Sequence, residues 1–169
     1  MLNNYLDMKY ILAFTLIFTT LLSCQSRVET QFSEKALNDK LINLQDESVS
    51  FKSILDQHKG NTIFIDVWAS WCKDCLKGLP GVKMLQQTHP EIDFIYLSLD
   101  KSKLAWKKSI DRLEIQGSHF FVQSGWKGAL GDFLGLDWIP RYLIIDKNGI
   151  IKVFNAIETT DIKLINNLK

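Results

Sequence analysis

Two cysteines, Cys72 and Cys75, stand directly after Trp71 and behind the apolar run Ile63-Phe64-Ile65-Asp66-Val67-Trp68. A run apolar on both faces reads as a central parallel strand. The residues from Cys72 to about Thr88 read as a helix interrupted at Gly78, Pro80 and Gly81, since proline inside a helix removes a hydrogen bond. Strand, paired thiols and helix, in that order, constrain this chain more than any other feature. The Cys72 sulfur falls where unpaired backbone N–H groups and the positive end of a helix dipole favour a thiolate. Cys75 lies one turn on, close enough to attack a mixed disulfide. A C-x-x-C beside a strand–helix pattern is a dithiol redox signal. On the residues alone, a structural bridge and half of a zinc site are the alternatives. A loop this short gains little from cross-linking. For zinc, the sequence offers neither a second cysteine pair nor a closely spaced histidine pair, so no metal is expected.

The pattern on either side predicts an α/β domain. Leu41–Leu44 and Val49–Phe51 read as short strands, Ser53–His58 as a helical turn, and Ile92–Leu99 as a second apolar strand. Leu104–Leu113 reads as a helix burying Leu104, Ala105, Ile110 and Leu113. His119–Val122 is strand-like, and Ser124 caps a helix running to a stop at Gly135. Asn148-Gly149 between Tyr142–Asp146 and Ile150–Phe154 is a hairpin signal. Thr160–Leu168 closes the chain as a helix with Ile162, Ile165 and Leu168 on one side. The sum is a mixed central sheet with helices on both faces. Trp106, Trp126 and Trp138 are expected to be packing residues, the three histidines surface or cap residues, and Asp137 a turn residue.

The N-terminus reads as processing signal, not fold. An apolar stretch, Tyr10–Leu22, follows Lys9 and ends in Leu21-Leu22-Ser23-Cys24. It is short for a membrane span, which needs roughly 20 apolar residues. An ordinary cleaved signal and an uncleaved anchor helix stay open on these residues. The ending resembles the lipobox of bacterial lipoproteins, which implies cleavage before Cys24 and lipidation of its sulfur. The organisation expected is therefore a signal peptide over 1–23, a tether over 24–45 and one domain over 46–169, with Met8 a more natural start than Met1. Two acyl chains hold a protein stably on a bilayer. Export implies an oxidising milieu. A net charge of +1, with both signs interspersed, gives no electrostatic case for nucleic acid.

Three segments together carry a family resemblance. Phe64–Cys75 resembles the active-site segment of thioredoxin-fold oxidoreductases, with Pro80 where that family kinks its helix. Trp138-Ile139-Pro140-Arg141-Tyr142 resembles its cis-proline loop, and Leu143–Gly149 its terminal hairpin. With the lipobox, the chain is most similar to the membrane-anchored TlpA/ResA branch. The resemblance implies a thioredoxin fold and a redox-active Cys72–Cys75 disulfide with no other cofactor. It implies Cys72 as nucleophile, Cys75 as resolving thiol and Asp66 as a buried proton relay. Burial raises a carboxyl pKa; without the resemblance, Asp66 could equally be a solvated strand-end acid and Pro140 a trans helix terminator. Ile139, Pro140 and Trp71 are expected to meet the substrate. Lys73 and Asp74, standing where thioredoxin has Gly-Pro, are expected to tune the potential, by tens of millivolts for one charge at about 30 mV per 1.4 kcal/mol.

The expected activity is thiol–disulfide exchange with protein substrates in the periplasm. The expected form is a monomer anchored by lipid and regenerated by a membrane electron donor. A peroxiredoxin-type peroxidase would want a threonine-bearing loop before a lone cysteine, which Trp-Cys-x-x-Cys argues against. A non-enzymatic envelope adaptor is the other alternative.

Overall fold

The computed structural model describes residues 30–168; Cys24 and the Tyr10–Leu22 stretch lie outside them. The elements run α1 (Glu34–Leu37), β1 (Lys40–Ile42), β2 (Ser48–Ser50), α2 (Phe51–Gln57), β3 (Ile63–Trp68), α3 (Lys73–Thr88) and β4 (Asp93–Ser98). They continue with α4 (Lys103–Leu113), β5 (Ser118–Phe121), α5 (Ala129–Phe133), β6 (Arg141–Ile145), β7 (Ile151–Ala156) and α6 (Ile162–Asn166). The seven strands form one mixed sheet in the order β2-β1-β5-β4-β3-β6-β7. β3, β4 and β5 are mutually parallel, whereas β6 runs antiparallel to β3. Every residue of β3 is buried, because helices cover the sheet on both sides.

Register decides what stands beside Asp66. It pairs with Tyr96 on β4 and Tyr142 on β6, and Tyr96 pairs in turn with His119 on β5. Side chains directly opposite one another share a face, so these four residues form one row across the sheet. α3 covers that face: a Cβ on Gly78 would lie 2.5 Å from the Tyr142 hydroxyl. α4 packs on it too, with Trp106 and Phe121 ring centroids 5.8 Å apart. On the opposite face, His58 at the end of α2 reaches the Ser118 hydroxyl at 3.4 Å, and Arg141 donates to the Leu134 carbonyl after α5 at 3.0 Å.

The packed fold starts upstream of the expected boundary at Asp46. Phe32 packs on Phe51 and Phe133 with centroids 4.9 and 5.2 Å apart, and Ser33 caps α1. The Thr30 carbonyl accepts from the Ile151 N–H at 2.9 Å. Ile151 pairs with Ile145, which pairs with Ile63, so this bond sits at the end of the sheet where β3 begins.

Several local expectations need correction. α3 runs unbroken through Pro80 and both glycines, because packing on the sheet outweighs the propensity cost of one turn. α4 buries Trp106, Ser109 and Ile110, while Leu104 is exposed. Ser102 starts this helix, so the bulky Trp106 sets the buried stripe. α6 buries Leu164, not Ile162 or Ile165, which are exposed. Ser124 does not cap a helix; its hydroxyl donates to Asp39 at 2.8 Å, and a single 3₁₀ turn, Gly125–Lys127, precedes α5. His119 is buried, not at the surface: it stacks on Tyr96 at 5.0 Å, and one ring nitrogen meets the Ile115 carbonyl at 3.0 Å. Trp138 is 57% exposed and does not pack in the core. Among the described residues, no helix is long and apolar enough to cross a membrane.

Candidate active site

The carboxyl ends of the parallel strands build the site. β3 ends at Trp68, the chain turns through Ala69, Ser70 and Trp71, and Cys72 takes the N-cap of α3. Cys72 has extended backbone angles, the conformation an N-cap requires, and its sulfur accepts from the Cys75 N–H at 3.1 Å. That contact gives a Cys72 thiolate a backbone donor at the positive end of a 16-residue helix. Cys72 and Cys75 form a disulfide, with Cα atoms 5.3 Å apart. Both cysteines are largely buried; Lys73 and Asp74 between them are exposed.

The segment before β6 closes the other side. The Ile139–Pro140 peptide is cis, and the Ile139 carbonyl lies 3.5 Å from the Cys72 sulfur. Cys72 opens on a cleft whose walls include Trp71, Trp126, Trp138 and Ile139. Trp71 is 49% exposed. Asp137 does more than turn the chain: its carboxylate accepts from Arg141 at 3.1 Å, bracing the loop that carries Trp138 and Ile139.

Asp66 lies on the face that α3 covers. It is 4% exposed, its Oδ1 has no hydrogen-bond partner, and burial pushes its pKa up to about 8. An acid near that value is protonated at neutral pH and exchanges a proton with a thiol, whose ordinary pKa is about 8.5, at little cost. Tyr96 and Tyr142 flank it, and burial first, then the nearby Asp66 charge, pushes both phenols upward. Tyr142 also stands behind a groove lined by Asp74, Gly78 and Pro140, and is itself buried.

The structure thus brings Cys72, Cys75, Trp71, Ile139 and Pro140 together, with Lys73 and Asp74 at the rim and Asp66 beneath α3. Cys24 lies outside the described residues. Sequence reading missed Asp100. Its buried carboxylate accepts from the Ser70 hydroxyl at 2.6 Å, the Ser70 N–H at 3.2 Å and the Ser98 hydroxyl at 2.8 Å. It thereby clamps the loop that delivers Trp71 and Cys72. The signal was its place just past β4, beside the equivalent loop after β3, where parallel sheets build sites. Among the described residues, no cluster of three or more histidine, cysteine or acidic side chains could hold a metal.

A disulfide at a helix N-terminus beside a cis-proline loop, on this mixed sheet, defines a class, and the thioredoxin-like family matches residues 60–151, more than half of the chain. The protein belongs to that family. Among individual relatives, the thiol-disulfide oxidoreductase ResA of Bacillus thuringiensis (strain Al Hakam) is 26% identical over 121 residues. That alignment covers 70% of this chain but 66% of the relative, just under two thirds of its length. The thioredoxin-like protein YneN of Bacillus subtilis is 26% identical over 60% of this chain and 59% of its own. The solution structure of a candidate thiol-disulfide oxidoreductase from Bacteroides vulgatus superimposes with a TM-score of 0.66 at 28% identity, covering 87% of this chain and 91% of that one.

Proposed function

We propose that this protein is a thiol-disulfide oxidoreductase of the cell envelope, anchored through a lipidated Cys24, that reduces disulfides in exported proteins. The observation that carries the reading is the Cys72–Cys75 disulfide at the head of α3, with Cys72 open to the cleft beside cis-Pro140. In the reduced protein, the Cys72 thiolate attacks one sulfur of a partner disulfide. A mixed disulfide forms and the first partner thiolate leaves. Cys75 then gives up its proton to the minor fraction of Asp66 that is ionised at neutral pH, and attacks the Cys72 sulfur. The second partner thiolate leaves and the Cys72–Cys75 bond closes. Two electrons have passed from the cysteine pair to the partner, and a membrane thiol donor returns them.

Ile139 presents backbone for an extended partner segment, the recognition mode in which main-chain bonds give affinity. The Leu21-Leu22-Ser23-Cys24 ending supports the anchor and a periplasm-facing position. Substrates of this chemistry include misbridged proteins and apocytochrome thiols that have become oxidised. The protein acts as a monomer with no cofactor beyond its own disulfide.

Trapping tests the exchange step. In a Cys75→Ser protein the mixed disulfide on Cys72 cannot resolve, so partners accumulate as reducible adducts; their absence would refute the reading. Cys24→Ser should release the protein from the membrane fraction. Equilibration against glutathione fixes the direction: a potential near about −270 mV marks a reductant, one near about −120 mV an oxidant.

A further inference from the structure

We propose that Trp71, Trp126 and Trp138 form a side-chain pocket that selects partner polypeptides carrying a large apolar residue within two positions of the reactive cysteine. This inference deepens the exchange reading and rests on it. Exchange requires the partner's sulfur to reach Cys72, and Cys72 is itself part of the cleft wall. An extended chain advances about 3.3 Å per residue, so the partner's next side chains must enter or skirt the same cleft. Its volume of about 310 Å³ stands at the lower end of small-ligand pockets, which suits one side chain better than a whole ligand.

The three tryptophans and Ile139 supply the apolar part of the wall and are held in place, while Lys73, Asp74 and Asp137 give the cleft a charged part. Trp71 and Trp138 are among the most exposed large apolar side chains near the disulfide, and nothing among the described residues covers them. Trp126 rides on the Gly125–Lys127 turn, and Gly131 packs against the Trp126 carbonyl so closely that a Cβ there would overlap it. Asp39 ties the start of this turn to α5, accepting from the Ser124 hydroxyl at 2.8 Å and the Leu130 N–H at 2.9 Å. Trp138 sits between Asp137, paired with Arg141, and the cis Ile139–Pro140 bond. Walls fixed before binding lose little entropy on closing around a guest, and tryptophan contributes disproportionately to recognition surfaces.

The test uses reduced full-length protein and two disulfide-linked peptide dimers, identical except for Trp or Ser two residues from the cysteine. Aromatic pairing at this strength corresponds to roughly tenfold. The Trp peptide should therefore be reduced with a second-order rate constant about tenfold larger. Trp138→Ala should bring the ratio below about threefold, and Trp138→Phe should keep most of it. Equal rates for the two peptides in the wild type, or a ratio that survives Trp138→Ala, would overturn the pocket while leaving exchange intact. Reduction of neither peptide would overturn the exchange reading and the pocket with it. Self-association at micromolar concentration that buries Trp138, read by sedimentation and tryptophan quenching, would assign the cleft to a second copy of the chain instead.

Discussion

Replacing Asp66 by asparagine isolates the buried acid, provided the oxidised protein is used, in which neither cysteine titrates. The folded carboxyl has a pKa of about 8 against an ordinary value of 3.8, because burial disfavours its ionised form. Below about pH 4 both folded and unfolded chains are protonated and the group costs nothing. As pH rises towards 8, the unfolded chain releases a proton that the folded one keeps. Stability then falls by about 1.4 kcal/mol per pH unit. Above 8 the loss levels off, having reached on the order of 5 kcal/mol across the window, a large share of what holds a typical domain together. Asparagine has nearly the same shape and no proton to lose. Urea denaturation of the two proteins, followed by tryptophan fluorescence near pH 5, 7 and 9 at constant ionic strength, measures the difference. The D66N protein should exceed the wild type by about 1–2 kcal/mol near pH 5 and by on the order of 5 kcal/mol near pH 9. Other titrating groups contribute equally to both and cancel. Parallel curves would show that Asp66 ionises normally and would remove the reason for giving it the proton.

Three further outcomes follow from contacts around the site. Gly78→Ala should destabilise the protein by about 1–3 kcal/mol, because the new methyl meets the Tyr142 hydroxyl. Adding Tyr142→Phe should recover most of that loss in a denaturation melt. Asp100→Ala should lower stability by about 2 kcal/mol, as two donors on half-buried Ser70 and one on buried Ser98 lose their acceptor. It should also slow reduction of a protein disulfide, since the Ser70 loop carrying Cys72 is released. His119 is held below the ordinary histidine pKa, mainly by burial, so the folded ring stays neutral where the unfolded one charges. Stability should fall as pH drops through about 6.5, and His119→Gln should abolish that part of the pH dependence in the same melt.

The reactive centre was legible because its chemistry is local. Ile63–Trp68, Trp71, Cys72 and Cys75 are contiguous, and a strand feeding a capped helix needs no distant information. The hairpin at Asn148-Gly149 was equally local, with Gly149 at a φ of 82° as such a turn demands. What stayed hidden depended on strand order. Tyr96, Tyr142 and His119 align with Asp66 only once β4, β5 and β6 are placed beside one another in register. Asp100 acts on Ser70 across 30 positions. Trp126 packs partly on the core as expected, whereas Trp138 reads as a core residue on hydrophobicity and is exposed. Only the cis-proline loop and the Gly125–Lys127 turn bring them to the sulfur. The α4 and α6 stripes failed for a smaller reason: a short helix's buried side rotates when its start shifts by a residue.

The bond between Thr30 and Ile151 fixes where the polypeptide enters the sheet: at the foot of β3, whereas the sulfurs crown its head. Six residues of strand separate those poles by roughly 20 Å. The span from Cys24 to Thr30 reaches no further than roughly 20 Å even when stretched. An acyl group on Cys24 would therefore leash the domain by its base and aim the thiols away from the bilayer. Soluble clients would meet them head-on, while any reductant embedded in the lipid would have to extend an arm past the whole molecule.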